Sequence, residues 1–372
     1  MKVGESAVIL QWLMGEMENI EIGESDLLRF AMRHRVLLYP LLKHQYSRNY
    51  SSAFLQTCLD QYIENISQVE KVALFYSRFN AFLMSQAMRA IVLKGVPLSE
   101  AYYANKYHRH SRDVDILVQQ EDLFVVADWL RSEGYRIETD VFSYHQKQQD
   151  IYWRHNHHFC CYGRKNELPL VVELHWRLRS NDDVCDVRLN DSFNLSLLKT
   201  SYKQLFVLNH LDQFIYLCVH GTEHGWFRMK WLLDLPLMAR KVTFDWRSMQ
   251  YRAKELNALE HVKVSLYLIY RLTGKSIIHD FDVRHCNIST IIKSTFIIHR
   301  MNATVFVETG YGSAIKQLLF ISSFNNRVVR LSFWKKWGMS TADWKMFPLP
   351  ASLFFLYYWM RPFFWVCRKA IR

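Results

Sequence analysis

Between residues 5 and 90 apolar side chains return every three or four positions. The stretches "ESDLLRFAMRHRVLLYPLLKHQ" and "FLQTCLDQYIENISQVEKVALFYSRFNAFLMSQA" keep that rhythm against a basic and polar background, which is the period of packed helices. Near residue 90 the rhythm changes. "AIVLKGVPL" is a short apolar run closed by Gly95 and Pro97, and it predicts a buried strand followed by a turn. "DVDILV" predicts a second strand. "EDLFVVADWLRSEGY" predicts a helix with Leu123, Val126, Ala127 and Leu130 on one face and Gly134 at its C-terminal stop. "YRIET" predicts a further strand, and "HHFCCYG" with "LPLVVELHWRL" a hairpin about the polar linker "RKNE". From about residue 201, at "YKQLFVLNHLDQFIYLCVHGTEHGWFRMKWLLDLPLMARK", the helical period returns, with Pro236 expected to kink or end a helix. The expected class is therefore α+β, a small mixed sheet flanked by N-terminal and C-terminal helical regions. The changes of pattern fall at an N-terminal helical region over 1–88, an α/β core over 89–185, a second helical region over 186–345 and a tail over 346–372. The polar, acidic "RSNDDVCDVRLNDSFN" marks the boundary after the sheet unit.

Composition narrows the classes without choosing a function. The chain has 372 residues, half of them hydrophobic, with few glycines and prolines, which excludes disordered and collagen-like classes. Lysine and arginine outnumber aspartate and glutamate by 47 to 35, a net charge of +12. Such a balance favours anionic partners: nucleotide phosphates, nucleic acid or an acidic membrane surface. No basic run is interleaved with aromatics, so specific nucleic-acid recognition is not expected. The seven cysteines are odd in number and form no C-x-x-C, which reads as a reduced, cytoplasmic chain. The N-terminal residues do not resemble a secretion signal, and no apolar run is long enough to span a bilayer.

The chemistry sits in "SRDVDILV". Residues two apart on a strand share a face, so Asp113 and Asp115 point together while Val114, Ile116 and Val118 point into the core. Two adjacent buried carboxylates repel each other, and a hard divalent cation such as Mg²⁺ resolves that repulsion. In "VVELHW", Glu173 and His175 share a face, and Glu173 becomes a third carboxylate if the two strands lie side by side. Three carboxylates can hold two ions about 3.5–4 Å apart, the arrangement used for in-line phosphoryl chemistry. Aspartates at a strand end are also often solvated or salt-bridged, and Arg109 and Arg112 are near enough in sequence to pair with them.

The ordered set "LKGVPLSEAYY", "RHSRDVDILV", "GY", "ELHWRL" and "HGTEHGWFRMKWLLDLPLMAR" resembles the uncharacterised bacterial nucleotidyltransferase family found near surface-polysaccharide and peptide-biosynthesis genes. That family belongs to the polymerase-beta-like nucleotidyltransferase superfamily, and the similarity runs to about residue 260. The resemblance implies a short mixed sheet carrying metal-binding carboxylates at Asp113 and Asp115, with Glu173 third, and a helical region that helps seat the nucleotide. It implies two Mg²⁺ or Mn²⁺ ions, an NTP substrate (ATP by default) and transfer of a nucleoside monophosphate to an acceptor. The acceptor (small molecule, sugar, peptide or protein) is not specified. Gly95 matches the glycine of the phosphate-side turn, but Lys94-Gly95 stands where the superfamily has Gly-Ser. A non-catalytic nucleotide-binding or membrane-peripheral scaffold that keeps the fold is the alternative.

Other residues are candidates for the nucleotide. Lys94 offers a cationic contact, and Arg109 and Arg112 offer guanidinium forks for phosphate oxygens. Arg228 and Lys230 lie beside Trp226 and Trp231, which supply stacking surface. His175 can orient Glu173. His155, His157 and His158 cluster in "WRHNHHF", and His220 and His224 stand four apart in "HGTEH". Both groups invite zinc, the second by its spacing, but Gly221 and Gly225 argue against a regular helix there, the H-E-x-x-H order is absent, and zinc is not the expected role of these histidines. Lining of a nucleotide pocket or buried hydrogen bonding is the expected role. The tail "LPASLFFLYYWMRPFFWVCRKAIR" is apolar, aromatic and basic-ended, which suits either the inner membrane interface or docking on the core.

Overall fold

The computed structural model describes residues 4–17, 20–45, 50–138, 141–163, 171–178, 197–302, 343–344 and 347–370. Among the described residues seven strands form one sheet: β1 (Ala90–Val92), β2 (Asp113–Leu117), β3 (Arg136–Ile137), β4 (His158–Tyr162), β5 (Val171–His175), β6 (Leu197–Lys199) and β7 (Leu205–Leu208). Their order is β3-β4-β5-β2-β1-β7-β6. β2 runs parallel to β5 and β1 parallel to β7, and the remaining pairs are antiparallel. The sheet is mixed, as expected, and the β4–β5 pairing is the antiparallel one expected of the hairpin; its linker lies outside the described residues.

The helices are α1 (Glu5–Leu13), α2 (Glu24–His34), α3 (Tyr39–Gln45), α4 (Ser52–Ser85), α5 (Val96–Tyr102), α6 (Leu123–Ser132), α7 (Gln146–His155), α8 (His210–Glu223), α9 (Met229–Lys241), α10 (Trp246–Glu255), α11 (Leu259–Thr273), α12 (Ile288–Asn302) and α13 (Leu356–Ala370). Alternation along the strands sorts them into two layers. Ala90, Val92, Val114, Ile116, Val172 and Leu174 face the C-terminal half of α4 together with α6 and α7. Ile91, Leu93, Leu117 and Leu208 face a second core built from α1, α2, α8, α9 and α11. The first face is apolar throughout β2 and β5. On the second face the same two strands carry Asp113, Asp115, Glu173 and His175, so a polar patch interrupts an otherwise oily layer.

Helix α4 is long, 34 residues, or about 50 Å at 1.5 Å per residue. Phe54 and Cys58 join the second core, whereas Val69 to Leu83 join the first. The N-terminal helices are therefore one wall of the sheet's surroundings rather than an appendage.

Several local expectations are corrected. The segment after Gly95 is not a bare turn: Pro97 sits in the first turn of α5, where its missing N–H costs nothing. "LFVL" at 205–208 pairs with β1 as β7 rather than opening a helix, because Asn209 caps α8 through the Asp212 N–H and so fixes where that helix begins. β6 and β7 thus carry the sheet past the expected boundary at residue 185. Pro236 lies inside α9 without ending it; burial of Leu232, Leu233, Leu235 and Met238 around it holds the helix. Gly221 is helical too. A Cβ there would stand 2.4 Å from the Trp226 ring, so the glycine is what lets the chain fold back after Gly225 and seat that indole. The linker at 179–194 and the "RKNE" segment lie outside the described residues.

The loop before β2 is anchored from two sides. Arg109 Nε and Nη2 donate to the two oxygens of Asp234 on α9, both at 2.8 Å, and Tyr103 donates to the same carboxylate at 2.7 Å. Asn65 on α4 donates to Tyr107 O and accepts from Ser111 N. Arg109 and Asp234 are 3% and 0% exposed, so removal of one partner strands a buried charge. Arg109→Met is expected to lower unfolding stability by about 3–5 kcal/mol, the scale of breaking a buried pair, with Asp234→Asn comparable. Urea denaturation checks it; a loss near zero for both would show that the pair does not anchor the loop.

Candidate functional site

Parallel pairing of β2 with β5 sets the site. Its register places Asp115 beside Glu173 and Leu117 beside His175. The ligand atoms of Asp115, Glu173 and His175 all lie within 4.8 Å of one another. Asp115 is 1% exposed, and Glu173 is open to solvent over a quarter of its side chain. Asp113, two residues before Asp115, shares its face at the strand's start but does not join that tight group.

Lys94 enters from the end of β1, the strand next to β2. Its Nζ stands 3.0 Å from Asp115 Oδ1 and 3.0 Å from His220 Nε2, where the ammonium is the donor and the ring nitrogen accepts. Burial alone would depress the Lys94 pKa, but Asp115, Asp113 and Glu173 outweigh it and raise it above the ordinary lysine range. His175 Nε2 lies 3.5 Å from Glu173 Oε2 and 3.7 Å from Asp115 Oδ1, separations of ion pairs rather than hydrogen bonds. Burial opposes a charge on that imidazole, yet the two carboxylates raise its pKa. Burial would also raise Glu173, but His175 and Lys94 bring its carboxyl down from 4.5 to about 2. For Asp113, burial and Asp115 push upward while Lys230, Lys94 and Arg35 outweigh them, and the carboxyl titrates below its usual range. The Glu173 and Asp113 carboxyls are thus displaced by cations arranged around them.

The donor set suits a hard divalent cation. Both oxygens of Asp115 are buried and receive no hydrogen bond, which is costly for a carboxylate; Lys94 at 3.0 Å and His175 at 3.7 Å are the cationic groups beside it. Asp113, Asp115 and Glu173 together supply the oxygen ligands that Mg²⁺ or Mn²⁺ prefers.

The other expected residues divide. Gly95 has φ +90°, in the left-handed region that favours glycine, and a side chain there would begin 3.6 Å from Ser111 Oγ and 3.7 Å from Asp113 O. Lys230 is buried on α9 and donates to His110 O at 3.2 Å. Burial, only partly offset by Asp113, drops its pKa to about 7. His220 reaches the site through Lys94. His224 lies beside it, with ring centroids 4.6 Å apart and the rings tilted by 45°, and so lies one residue further out. Arg109 is not available as a phosphate clamp, because Asp234 takes both its forks. Arg112 is exposed and pairs loosely with Glu64 at 3.3 Å. Arg228 caps α9 and donates to Arg33 O at the end of α2, so it secures two helices rather than facing the carboxylates.

Three participants escaped the sequence reading. Ser111 Oγ is buried without a hydrogen bond beside Gly95; its position two before Asp113 on the strand's approach was the available signal. Arg35, at the left-handed C-cap of α2, acts on Asp113 from 78 positions earlier in the chain, a separation that no local pattern reveals. With Met32, Gln61, Glu64, His110 and Ser111 it lines a pocket of about 250 Å³ between α2, α4 and the loop before β2. The third, Cys160 on β4, lies opposite Glu173, two residues along from the already expected His158, which lies opposite His175.

Comparison with known proteins gives one match. A family model described as "uncharacterised nucleotidyltransferase" matches residues 21–274, a span that takes in α2 to α11 and the whole sheet. No curated protein and no solved structure matches the chain.

The Glu173 shift sets an acid dependence. A carboxyl whose folded pKa lies below its unfolded value contributes stability that is complete above the unfolded value and lost as pH falls through the folded one. In chelator-treated protein the Glu173 contribution is therefore full above pH 4.5 and fades as pH approaches about 2. Glu173→Gln is expected to flatten that part of the stability–pH curve, read by urea midpoints across the acid range. An unaltered slope would show that Glu173 is not held by Lys94 and His175.

Proposed function

The chain belongs to the uncharacterised nucleotidyltransferase family, and from that premise we propose that it moves a nucleoside monophosphate from an NTP to an acceptor at the β2–β5 carboxylates. The observation that carries the reading is the Asp115–Glu173 register with its unbonded buried oxygens. Asp113, Asp115 and Glu173 would hold two Mg²⁺ or Mn²⁺ ions, which when bound activate the acceptor hydroxyl and neutralise the leaving pyrophosphate. ATP is the default donor.

The chain's own residues supply the rest. In the transfer, the acceptor oxygen bonds to the α-phosphorus, the bond from that phosphorus to the bridging oxygen breaks, and pyrophosphate leaves. The acceptor's proton passes to a carboxylate, for which the part-exposed Glu173 is the accessible one. Gly95 lets phosphate oxygens approach the backbone, and Ser111 offers the hydroxyl that a Gly-Ser turn would have offered. Lys94, Arg35 and Lys230 place positive charge around the triphosphate, and Arg112 stands at the rim. His175 keeps Glu173 and Asp115 oriented. Transfer stabilised in this way depends on charge placed in advance.

Incubation with Mg²⁺ or Mn²⁺ and labelled NTPs is expected to release pyrophosphate. Asp113→Ala with Asp115→Ala should cut that turnover by about a thousandfold, the scale of lost electrostatic stabilisation at a charged transition state. Turnover that survives both changes overturns the mechanism. The Lys94 ammonium already seated on Asp115 favours a second reading, a nucleotide-binding module without catalysis. Calorimetry that shows NTP binding with no metal and no product would select it.

The tail belongs to the same proposal. Among the described residues no helix is long and apolar enough to cross a membrane. Tyr357 and Phe364 of α13 are buried on the core, whereas Phe355, Trp359 and Phe363, four apart in sequence, are 57%, 82% and 56% exposed. In this reading the chain is cytoplasmic and that aromatic ridge touches the membrane interface. Trp359→Ala with Phe363→Ala is expected to weaken cosedimentation with anionic vesicles by about tenfold or more, given roughly 1.5–3 kcal/mol per buried aromatic. Equal sedimentation of variant and wild type removes the membrane role.

A further inference from the structure

Next to the all-oxygen set lies a second group of donors with different chemistry. β4 pairs antiparallel with β5 so that His158 lies opposite His175 and Cys160 opposite Glu173. Potential ligand atoms of His157, His158 and His175 fall within 4.8 Å of one another, and so do those of His158, Cys160 and Glu173. Two imidazoles, a thiol and a carboxylate thus surround His158 from one strand pair and the residue before it. We propose that this cluster is a binding site for a borderline transition-metal ion, Zn²⁺ first, bordering the hard-ion carboxylates and sharing Glu173 and His175 with them.

Four observations carry it. Imidazole and thiolate are the ligands that select zinc-like ions over Mg²⁺, and carboxylate completes such a set. Neighbouring ligand atoms on a tetrahedral ion stand about 3.3–3.8 Å apart, so side-chain rotation of about an ångström closes the cluster. His175 is 3% exposed and neither of its ring nitrogens has a hydrogen-bond partner, an expensive condition for a buried imidazole that a metal bond would remove. Finally, His158 Nδ1 and His157 Nε2 lie 3.0 Å apart as one hydrogen bond. The acceptor's lone pair is held in that bond, so an ion would displace the shared proton to be bound there, as metal binding to imidazole releases protons.

The site is also reachable. His157, His158 and Cys160 are each only partly buried, which leaves a path for an ion to enter. The nucleotidyl-transfer reading uses neither His157, His158 nor Cys160, so this inference stands without it. The competing explanation is that His175 is an imidazolium held between Asp115 and Glu173, with the β4 histidines merely stacked on it. The two accounts differ in what zinc does to the protein.

The test is metal content and spectroscopy of the full chain. After chelator treatment and dialysis against Zn²⁺, elemental analysis of the wild type is expected to give about one zinc per chain. His157→Ala with His158→Ala should weaken zinc binding by at least about tenfold, whereas Asp113→Asn, which alters only the hard-ion set, should keep it. Co²⁺ loaded in place of zinc is expected to show the intense visible bands of a tetrahedral site with a thiolate charge-transfer band, and Cys160→Ser should remove the latter alone. Circular dichroism confirms that each variant is folded, and His158→Gln replaces the double variant if that one is not. Sub-stoichiometric zinc in the folded wild type overturns the proposal. So does equal zinc loss in Asp113→Asn and the histidine variant, which would assign the ion to the carboxylates. Loss of pyrophosphate release with zinc binding intact would count against the transfer reading and leave this site standing.

Discussion

The burial of like charge on one face of the sheet is the constraint around which this molecule is arranged. At 3.0 Å the Lys94–Asp115 attraction is on the order of 5 kcal/mol at an effective dielectric near 20. Taking each ion out of water costs several kcal/mol, so this pair does little more than break even. Asp113 and Glu173 then remain to be balanced by His175, Lys230 and Arg35, each from a different element. The patch is tolerable in its present form and would be eased by further positive charge.

The support for those charges comes from before and after the sheet in the chain. α4 holds the approach to β2 through Asn65, and α9 holds it through Asp234. α8 adds His220 on Lys94, and Gln213 donates to Leu93 O at 2.8 Å. Arg35 arrives from the end of α2. The strands provide the carboxylates with Lys94 and His175, and the helices provide Lys230, Arg35 and the His220 that holds Lys94, so neither layer makes the site alone. This explains why the N-terminal helices pack into the same core as α8 to α11 rather than forming a separate body.

Gly95 and Ser111 meet at the turn after β1. With Lys94-Gly95 in the turn, the residue before the glycine becomes the cation on Asp115. A hydroxyl from the facing loop, Ser111, comes to lie beside the glycine instead. The backbone shape at residue 95 requires a glycine, and the polar groups around it come from two segments sixteen positions apart in the chain.

Much of the architecture was legible in the residues themselves. Period-two patterning in "DVDILV" and "VVELHW" set the apolar and acidic faces of β2 and β5, because the pleat of a strand leaves no other choice once one face is buried. Helical periodicity likewise marked α4 and α6, and the mixed sheet with flanking helices followed from the change of rhythm. Local pattern could not decide which strands would be neighbours, and the parallel β2–β5 register is what turned Glu173 from a distant acid into a partner of Asp115. Nor could it show that Arg109 would be consumed by Asp234, that Gly221 would sit within a helix because an indole needs its space, or that Arg35 would reach Asp113. Those outcomes depend on contacts between residues far apart in sequence, where packing and the pairing of buried charge outweigh any preference carried by the neighbouring residues.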